Sequence, residues 1–186
     1  MVRLMEKELI AVLNVKTGEL EVIKKDFRFK CIEYCARCCI ENDIPLREED
    51  IERIKALGYD EEYFVDFTKM FYRGPKFLGY GMRKRPFDDA CVFLDPETKK
   101  CTIYEHRPLA CKLYPFVLVK HGEKLEIYVK RDKICPGINH PDGEPIEEII
   151  PKYFGEVIKE MGGEYGARRF GQENTQHFTK GLKNVV

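Results

Sequence analysis

The sequence predicts a small α+β domain organised around a cysteine-rich metal or cluster centre, with short β-hairpins and about three to four helices. Three observations lead there. Alternating apolar runs flank turn residues near both ends, helical periodicity is confined to brief stretches, and eight cysteines occupy the region between. A chain of 186 residues, 44% hydrophobic and 12% aromatic, is expected to form one domain with a proper core. That domain is expected over 1–170: an N-terminal hairpin (1–26), a metal-binding core (27–136) and a C-terminal helical part (145–170), followed by a polar tail (171–186).

From Lys7 to Lys25, Leu9, Ala11 and Leu13 alternate before a Lys16-Thr17-Gly18-Glu19 turn, and Leu20 and Val22 follow it, which predicts a hairpin. The stretch from Cys31 to Cys39 has neither period and is expected to wrap a metal as an irregular loop, with the opening of a short helix as the alternative. A helix is predicted from Pro45, with Glu48, Glu49 and Asp50 in its first turn, Ile51, Ile54 and Leu57 as its apolar stripe and Gly58 as its stop. Asp60 is a good N-cap for a second helix, in which Tyr63, Phe64, Phe67, Met70 and Phe71 recur at helical spacing as a core face.

Residues 74–87 read as a basic, Gly-rich loop with a short strand, its aromatics expected to pack inward. Cys91 to Cys101 reads as two short strands around an Asp95-Pro96 turn. Phe116 to Lys120 and Leu125 to Lys130 should pair around His121-Gly122. A last helix is predicted from about Pro145 to Met161, with Ile149, Ile150, Tyr153, Phe154 and Ile158 as its apolar face.

Thirty-two basic residues balance thirty-two acidic ones, so no long-range attraction to nucleic acid or to an anionic membrane is built into the chain. Nucleic acid and membrane are accordingly not expected as partners; a protein or redox partner is. The 34% charged content and the absence of Trp resemble a heat-adapted composition. The apolar stretch from Leu9 to Val15 is broken by Asn14 and flanked by charge, unlike a secretory signal, so a cytoplasmic location is expected.

Cys31, Cys35, Cys38 and Cys39 lie within nine residues, and Cys91, Cys101, Cys111 and Cys135 follow singly. All eight are candidate metal ligands, because thiolate binds zinc and iron–sulfur clusters strongly without help from other donor types. Structural zinc sites draw ligands in pairs from C-x2-C knuckles, whereas cuboidal clusters take three from one loop and a distant fourth often followed by proline, as Cys135 is by Pro136. Spacing therefore favours a [4Fe–4S]-type cluster, with Zn²⁺ as the alternative. Disulfides remain a third reading, although a bond between adjacent Cys38 and Cys39 would be strained. The histidines are not expected to be ligands. A guanidinium such as Arg107 would offset the negative charge of a four-thiolate centre.

The run around Cys35, Cys38 and Cys39, with Cys91 and the block Cys101-Thr-Ile-Tyr104-Glu-His-Arg107-Pro108-Leu-Ala-Cys111-Lys-Leu-Tyr-Pro115, resembles the CxxCxxCC cysteine-cluster family, the YkgJ-like proteins. The resemblance covers roughly Phe29 to Pro136 and implies zinc or iron chelation. It also implies that Tyr104, Arg107 and Pro108 line the cofactor. One departure is that Cys31 to Cys35 is one residue longer than the family spacing. The flagellin lysine methylase FliB looks like a distant relative with a similar cluster.

Three readings of function follow. The first is a metal-binding cysteine-cluster protein without catalytic machinery, since no nucleophile elbow, phosphate-binding loop, dinucleotide fingerprint or zinc-protease motif occurs. The second is an iron–sulfur redox or protein-modifying enzyme, which would need an open iron position. The third is a metal-stapled nucleic-acid or protein interaction module, in which Arg73, Lys76, Arg83, Lys84 and Arg85 act with Tyr72, Phe77, Tyr80 and Phe87. The first is preferred.

Overall fold

The structure, a computed structural model, describes residues 7–131 and 135–160. It confirms the α+β class, with short helices and antiparallel sheets. By backbone proximity the chain divides into two units, one of residues 1–31 with 115–186 and one of residues 32–114. The expected polar tail (171–186) and the expected C-terminal helical part beyond residue 160 lie outside the described residues.

In the first unit β1 (Lys7–Asn14), β2 (Leu20–Val22), β7 (Phe116–His121) and β8 (Lys124–Lys130) form an antiparallel sheet in the order β2-β1-β8-β7. Both predicted hairpins are present. Leu125, Ile127 and Val129 of β8 alternate inward because successive side chains of a strand face opposite ways. Opposite them β1 carries a bulge between Leu9 and Ala11, and the inserted residue lets both Ile10 and Ala11 enter the core. Asn14 Oδ1 accepts the backbone N–H groups of Lys16 and Thr17, and Gly18 takes a left-handed conformation (φ 75°), which closes the first turn.

The predicted last helix begins at Ile146 and runs as α5 (Ile146–Ile149), a π turn (Ile150–Phe154) and α6 (Gly155–Glu160). Pro151 has no N–H to donate, which accounts for the wider turn. Ile146, Ile149, Ile150, Phe154, Val157 and Ile158 are buried. Phe116 stands edge-to-face with Phe29 (4.9 Å) and Phe154 (5.0 Å), joining this helix to the sheet and to the short strand β3 (Arg28–Phe29), which pairs with β9 (Glu144–Pro145).

The second unit holds the antiparallel sheet β4-β6-β5, made of β4 (Pro45–Leu46), β5 (Val65–Arg73) and β6 (Lys76–Met82). Helix α2 (Glu48–Lys55) begins three residues after the predicted Pro45 and buries Ile51 and Ile54; Gly58, at φ 94°, follows its end. Leu46, Ile54, Phe64, Val65, Phe93 and Ile103 make the core, with Cys91, Cys101 and Cys111 packed against it.

Three expectations fail here. The second helix stops after one turn, α3 (Glu61–Phe64), and its continuation is the strand β5. The apparent helical stripe coexists with a run of aromatic and β-branched residues ending at Arg73-Gly74-Pro75-Lys76, where Gly74 supplies the positive φ (57°) of a hairpin turn. Long-range pairing with β6 then outweighs local periodicity. Phe67, Met70, Tyr72 and Phe77 consequently face solvent, against the expected inward packing. Cys91 to Cys101 forms a looped turn held by one bridge, Leu94 to Cys101, and not two strands. Asp95 Oδ1 accepts the N–H groups of Glu97 and Thr98 there.

Candidate metal centre

Cys38 and Cys39 sit on the short helix α1 (Arg37–Glu41), entered through Tyr34 and Ala36 in the left-handed region (φ 62° and 55°). Such backbone costs on the order of 1 kcal/mol for each non-glycine residue and persists only where the surroundings impose it. Part of that constraint is visible. The Cys91 N–H donates to the Cys39 carbonyl at 2.8 Å, and Lys84 Nζ donates to the Ile40 carbonyl at 2.6 Å. Lys84 and Cys91 also form a bridge, so the Cys38-Cys39 helix is fastened to the segment that carries Cys91.

Cys101 is placed by its bridge to Leu94, whose carbonyl accepts from Arg85 Nη1 at 2.5 Å. Cys111 lies on α4 (Leu109–Leu113) and donates its N–H to the Pro108 carbonyl at 3.0 Å. Helix α4 is fastened in turn by Asp50, which is wholly buried on α2. Asp50 Oδ1 accepts from Leu109 N–H (3.1 Å) and Arg53 Nη2 (2.6 Å), while Oδ2 accepts from Arg47 N–H (3.2 Å) and Nε (3.1 Å). Arg53 reaches on to the carbonyls of His106 (3.3 Å) and Arg107 (3.0 Å). The turn that presents Arg107, Pro108 and Cys111 is thus held by side chains some fifty residues earlier.

Burial opposes ionisation of Asp50, but hydrogen bonds and charge from Arg47 and Arg53 outweigh it and hold the carboxyl below its ordinary value of 3.8. The thiols shift the other way. A hydrogen bond with Cys39, then burial and the charge of Cys39, push Cys38 far above the ordinary 9.0. Burial, followed by the charges of Cys101 and Cys38, pushes Cys91 up to about 11. Burial, with a smaller contribution from Cys38, raises Cys101; burial and the charges of Cys91, Cys38 and Cys101 raise Cys111 well above 9.0.

Cys38, Cys91, Cys101 and Cys111 therefore occupy one electrostatic neighbourhood, and Cys39 adjoins it through its hydrogen bond with Cys38. Arg107 lowers Cys38, Cys101 and Cys111, and Arg85 lowers Cys91. Arg107 also lies over the Tyr104 ring at 3.7 Å and donates Nε–H to the Tyr104 carbonyl at 2.9 Å.

Four thiols that resist ionisation alone, drawn together with a guanidinium opposing their charge, suit a cationic centre that would bind them as thiolates. The donor chemistry fits a soft metal or an iron–sulfur cluster. Among the described residues no three His, Cys, Asp or Glu side chains stand ready to hold a metal ion, so the sulfurs are gathered without being preset at ligating distances. Cys35, whose N–H donates to Ile32 O at 3.3 Å, is half-buried in the same unit. Cys31, exposed, and Cys135, half-buried, belong to the other. Of the predicted cofactor-lining residues, Tyr104 is exposed in a 3₁₀ turn (Tyr104–His106), Arg107 acts on three thiols and Pro108 caps α4.

Sequence reasoning read Asp50 only as negative charge in a first helical turn. Its pairing with Arg47, three residues earlier at the N-cap, was the local signal of a capping box. Nothing local signalled its bond to Leu109.

Residues 30–136 match the CxxCxxCC family, described as a "Putative zinc- or iron-chelating domain". A curated relative, "Uncharacterized protein MJ0661" of Methanocaldococcus jannaschii, is 33% identical over 158 residues, which span 83% of this chain and 82% of that protein. No solved structure matches the chain. No described helix is long and apolar enough to cross a membrane.

Proposed function

Because the chain belongs to the CxxCxxCC family, we propose that it is a metal-holding protein in which Cys38, Cys91, Cys101 and Cys111 bind a [4Fe–4S]-type cluster, with Zn²⁺ as the second reading. The observation that carries this is the packing of Cys91, Cys101 and Cys111 against one core, with the helix of Cys38 fastened to the Cys91 segment by the Cys91 N–H to Cys39 carbonyl bond (2.8 Å) and by Lys84 on the Ile40 carbonyl (2.6 Å). A donor set of sulfur alone selects soft ions and clusters. No two of the four come from a C-x2-C knuckle, the pairing on which structural zinc sites are usually built, and no three come from one loop, so the set departs from the usual spacing of zinc and cluster sites alike and elemental analysis decides between them.

When bound, a cluster supplies one-electron transfer and zinc supplies a cross-link. The protein's own residues do the rest. Arg107 and Arg85 offset thiolate charge, Pro108 and Asp50 set the helix that carries Cys111, and the core around Phe93 and Ile103 excludes water from one side.

The test is elemental analysis for iron, zinc and sulfide, with an absorption spectrum, on protein purified without oxygen or chelators. About four irons and four sulfides per chain with a broad visible band support the cluster. Colourless protein with about one zinc per chain replaces it by the second reading. Metal below about a tenth of an equivalent overturns both.

A further inference from the structure

The second unit carries a surface that the metal centre does not use. In the β5–β6 hairpin Phe67 (42%), Met70 (52%), Tyr72 (56%) and Phe77 (44%) are exposed. The rings form a continuous run: Phe67 to Tyr80 at 5.1 Å, Tyr80 to Phe77 at 5.1 Å and Phe77 to Tyr72 at 5.5 Å between centroids. Tyr72 Oη donates to Met70 Sδ at 3.5 Å, which adds the methionine to the patch. A contiguous aromatic surface of this kind on a sheet face usually has a partner.

Charge says which kind. Residues 67–87 contain no Asp or Glu but include Lys69, Arg73, Lys76, Arg83, Lys84 and Arg85, in a chain of zero net charge. Four of the six have structural work. Lys69 pairs with Asp43, Lys84 with Asp43 and Asp89, Arg85 with Asp88, and Arg83 donates to the Val65 carbonyl. Arg73 and Lys76 make no ion pair with any described residue, and they stand opposite each other at the hairpin tip, next to the opposed pair Tyr72 and Phe77. Like charges directly opposite across a hairpin destabilise it, so an anion at the tip would relieve a repulsion already present.

We propose that the β5–β6 hairpin binds single-stranded nucleic acid, with bases stacked on the Phe67, Tyr80, Phe77 and Tyr72 run and phosphates held by Arg73 and Lys76. Planar rings beside free cations are what a strand offering a base and a phosphate at every step requires, and base–aromatic stacking tolerates any sequence. An acidic peptide would satisfy the two cations but leave the rings uncovered. The inference is independent of which metal is bound.

The experiment titrates the full chain, as purified with its metal, into fluorescently labelled oligouridylate and oligothymidylate about a dozen nucleotides long, at salt from about 50 to 200 mM. Binding is expected to weaken with salt at a log–log slope of about −1.4, the value for two phosphates on a single strand. Arg73→Gln with Lys76→Gln should flatten that slope, and Tyr72→Ala or Phe77→Ala should each weaken binding about tenfold. All four positions are exposed, and the charge variants leave every ring in place, so at least one variant retains the fold; melting curves and metal content, unchanged from wild type, identify which. Tighter binding of the ribose or the deoxyribose strand assigns the natural source. Absence of binding, affinity indifferent to both sets of substitutions, equal competition by polyglutamate, or self-association abolished by Tyr72→Ala would each overturn the proposal.

Discussion

Asp50 Oδ1 accepts the backbone N–H of Leu109 at 3.1 Å, so a carboxylate on one helix caps another that begins 59 residues later and carries Cys111. The same carboxylate is the N-terminal capping group of its own helix through Arg47. One buried charge therefore sets both the α2 terminus and the position of a candidate ligand.

Removing it should be expensive. Asp50→Ala leaves Arg47 and Arg53 without their counter-charge and the Leu109 N–H without an acceptor, at a cost of about 3 kcal/mol. For a chain of this size the melting temperature should fall by about 6–12 °C. Metal content should fall with it, because the Cys111 helix loses its anchor. A melting temperature within about 2 °C of wild type would show that the clamp contributes little.

The pH dependence has a defined sign. The Asp50 carboxyl is held below its ordinary value of 3.8, so its stabilisation is complete above that value and is lost as pH falls through the lower folded one. Denaturant midpoints measured from pH 6 downward should decline more steeply below about pH 4 in wild type than in Asp50→Asn. Parallel profiles would remove Asp50 from the acid limb.

Cys38→Ser, Cys91→Ser, Cys101→Ser and Cys111→Ser should each lower bound metal by more than about half, whereas Cys35→Ser, outside the proposed ligand set, should lose less. Inductively coupled plasma analysis of the five variants reads this directly. Equal losses in all five would spread the ligand set over the whole loop.

Arg107→Gln removes the cation that opposes charge on three thiols while leaving all four sulfurs in place. Metal release to a chelator should quicken about tenfold or more. Arg107→Lys should restore part of the rate through its charge, but not the contact over Tyr104. Unchanged release in Arg107→Gln would make the guanidinium a surface group.

Gly79 has φ 146° and its absent Cβ would lie 1.8 Å from the Leu46 carbonyl oxygen, across the β4–β6 pairing. Gly79→Ala should cost about 3 kcal/mol or more in chemical denaturation. Gly58→Ala, at φ 94° with nothing within 4 Å, carries only backbone strain and should cost about 1 kcal/mol. Similar losses at the two positions would mean that the close approach to Leu46 is readily relieved.

The hairpins at Lys7–Val22 and Phe116–Lys130, the helix after Arg47 and the apolar face of the last helix were legible in the sequence, because alternation, turn residues and helical spacing are local. So was the donor chemistry of the centre, since eight thiols name a class of ion wherever they fold. Tertiary structure alone decided the rest. It turned residues 65–73 from an apparent helix into a strand, because pairing with Lys76–Met82 is a long-range contact that local periodicity does not encode. It also drew Cys38 together with Cys91, Cys101 and Cys111, from segments up to seventy-three residues apart, through Lys84, Arg53 and Asp50. Spacing along the chain carries the identity of a ligand; only the packing of the helices and turns that bear the sulfurs determines which of them share one neighbourhood.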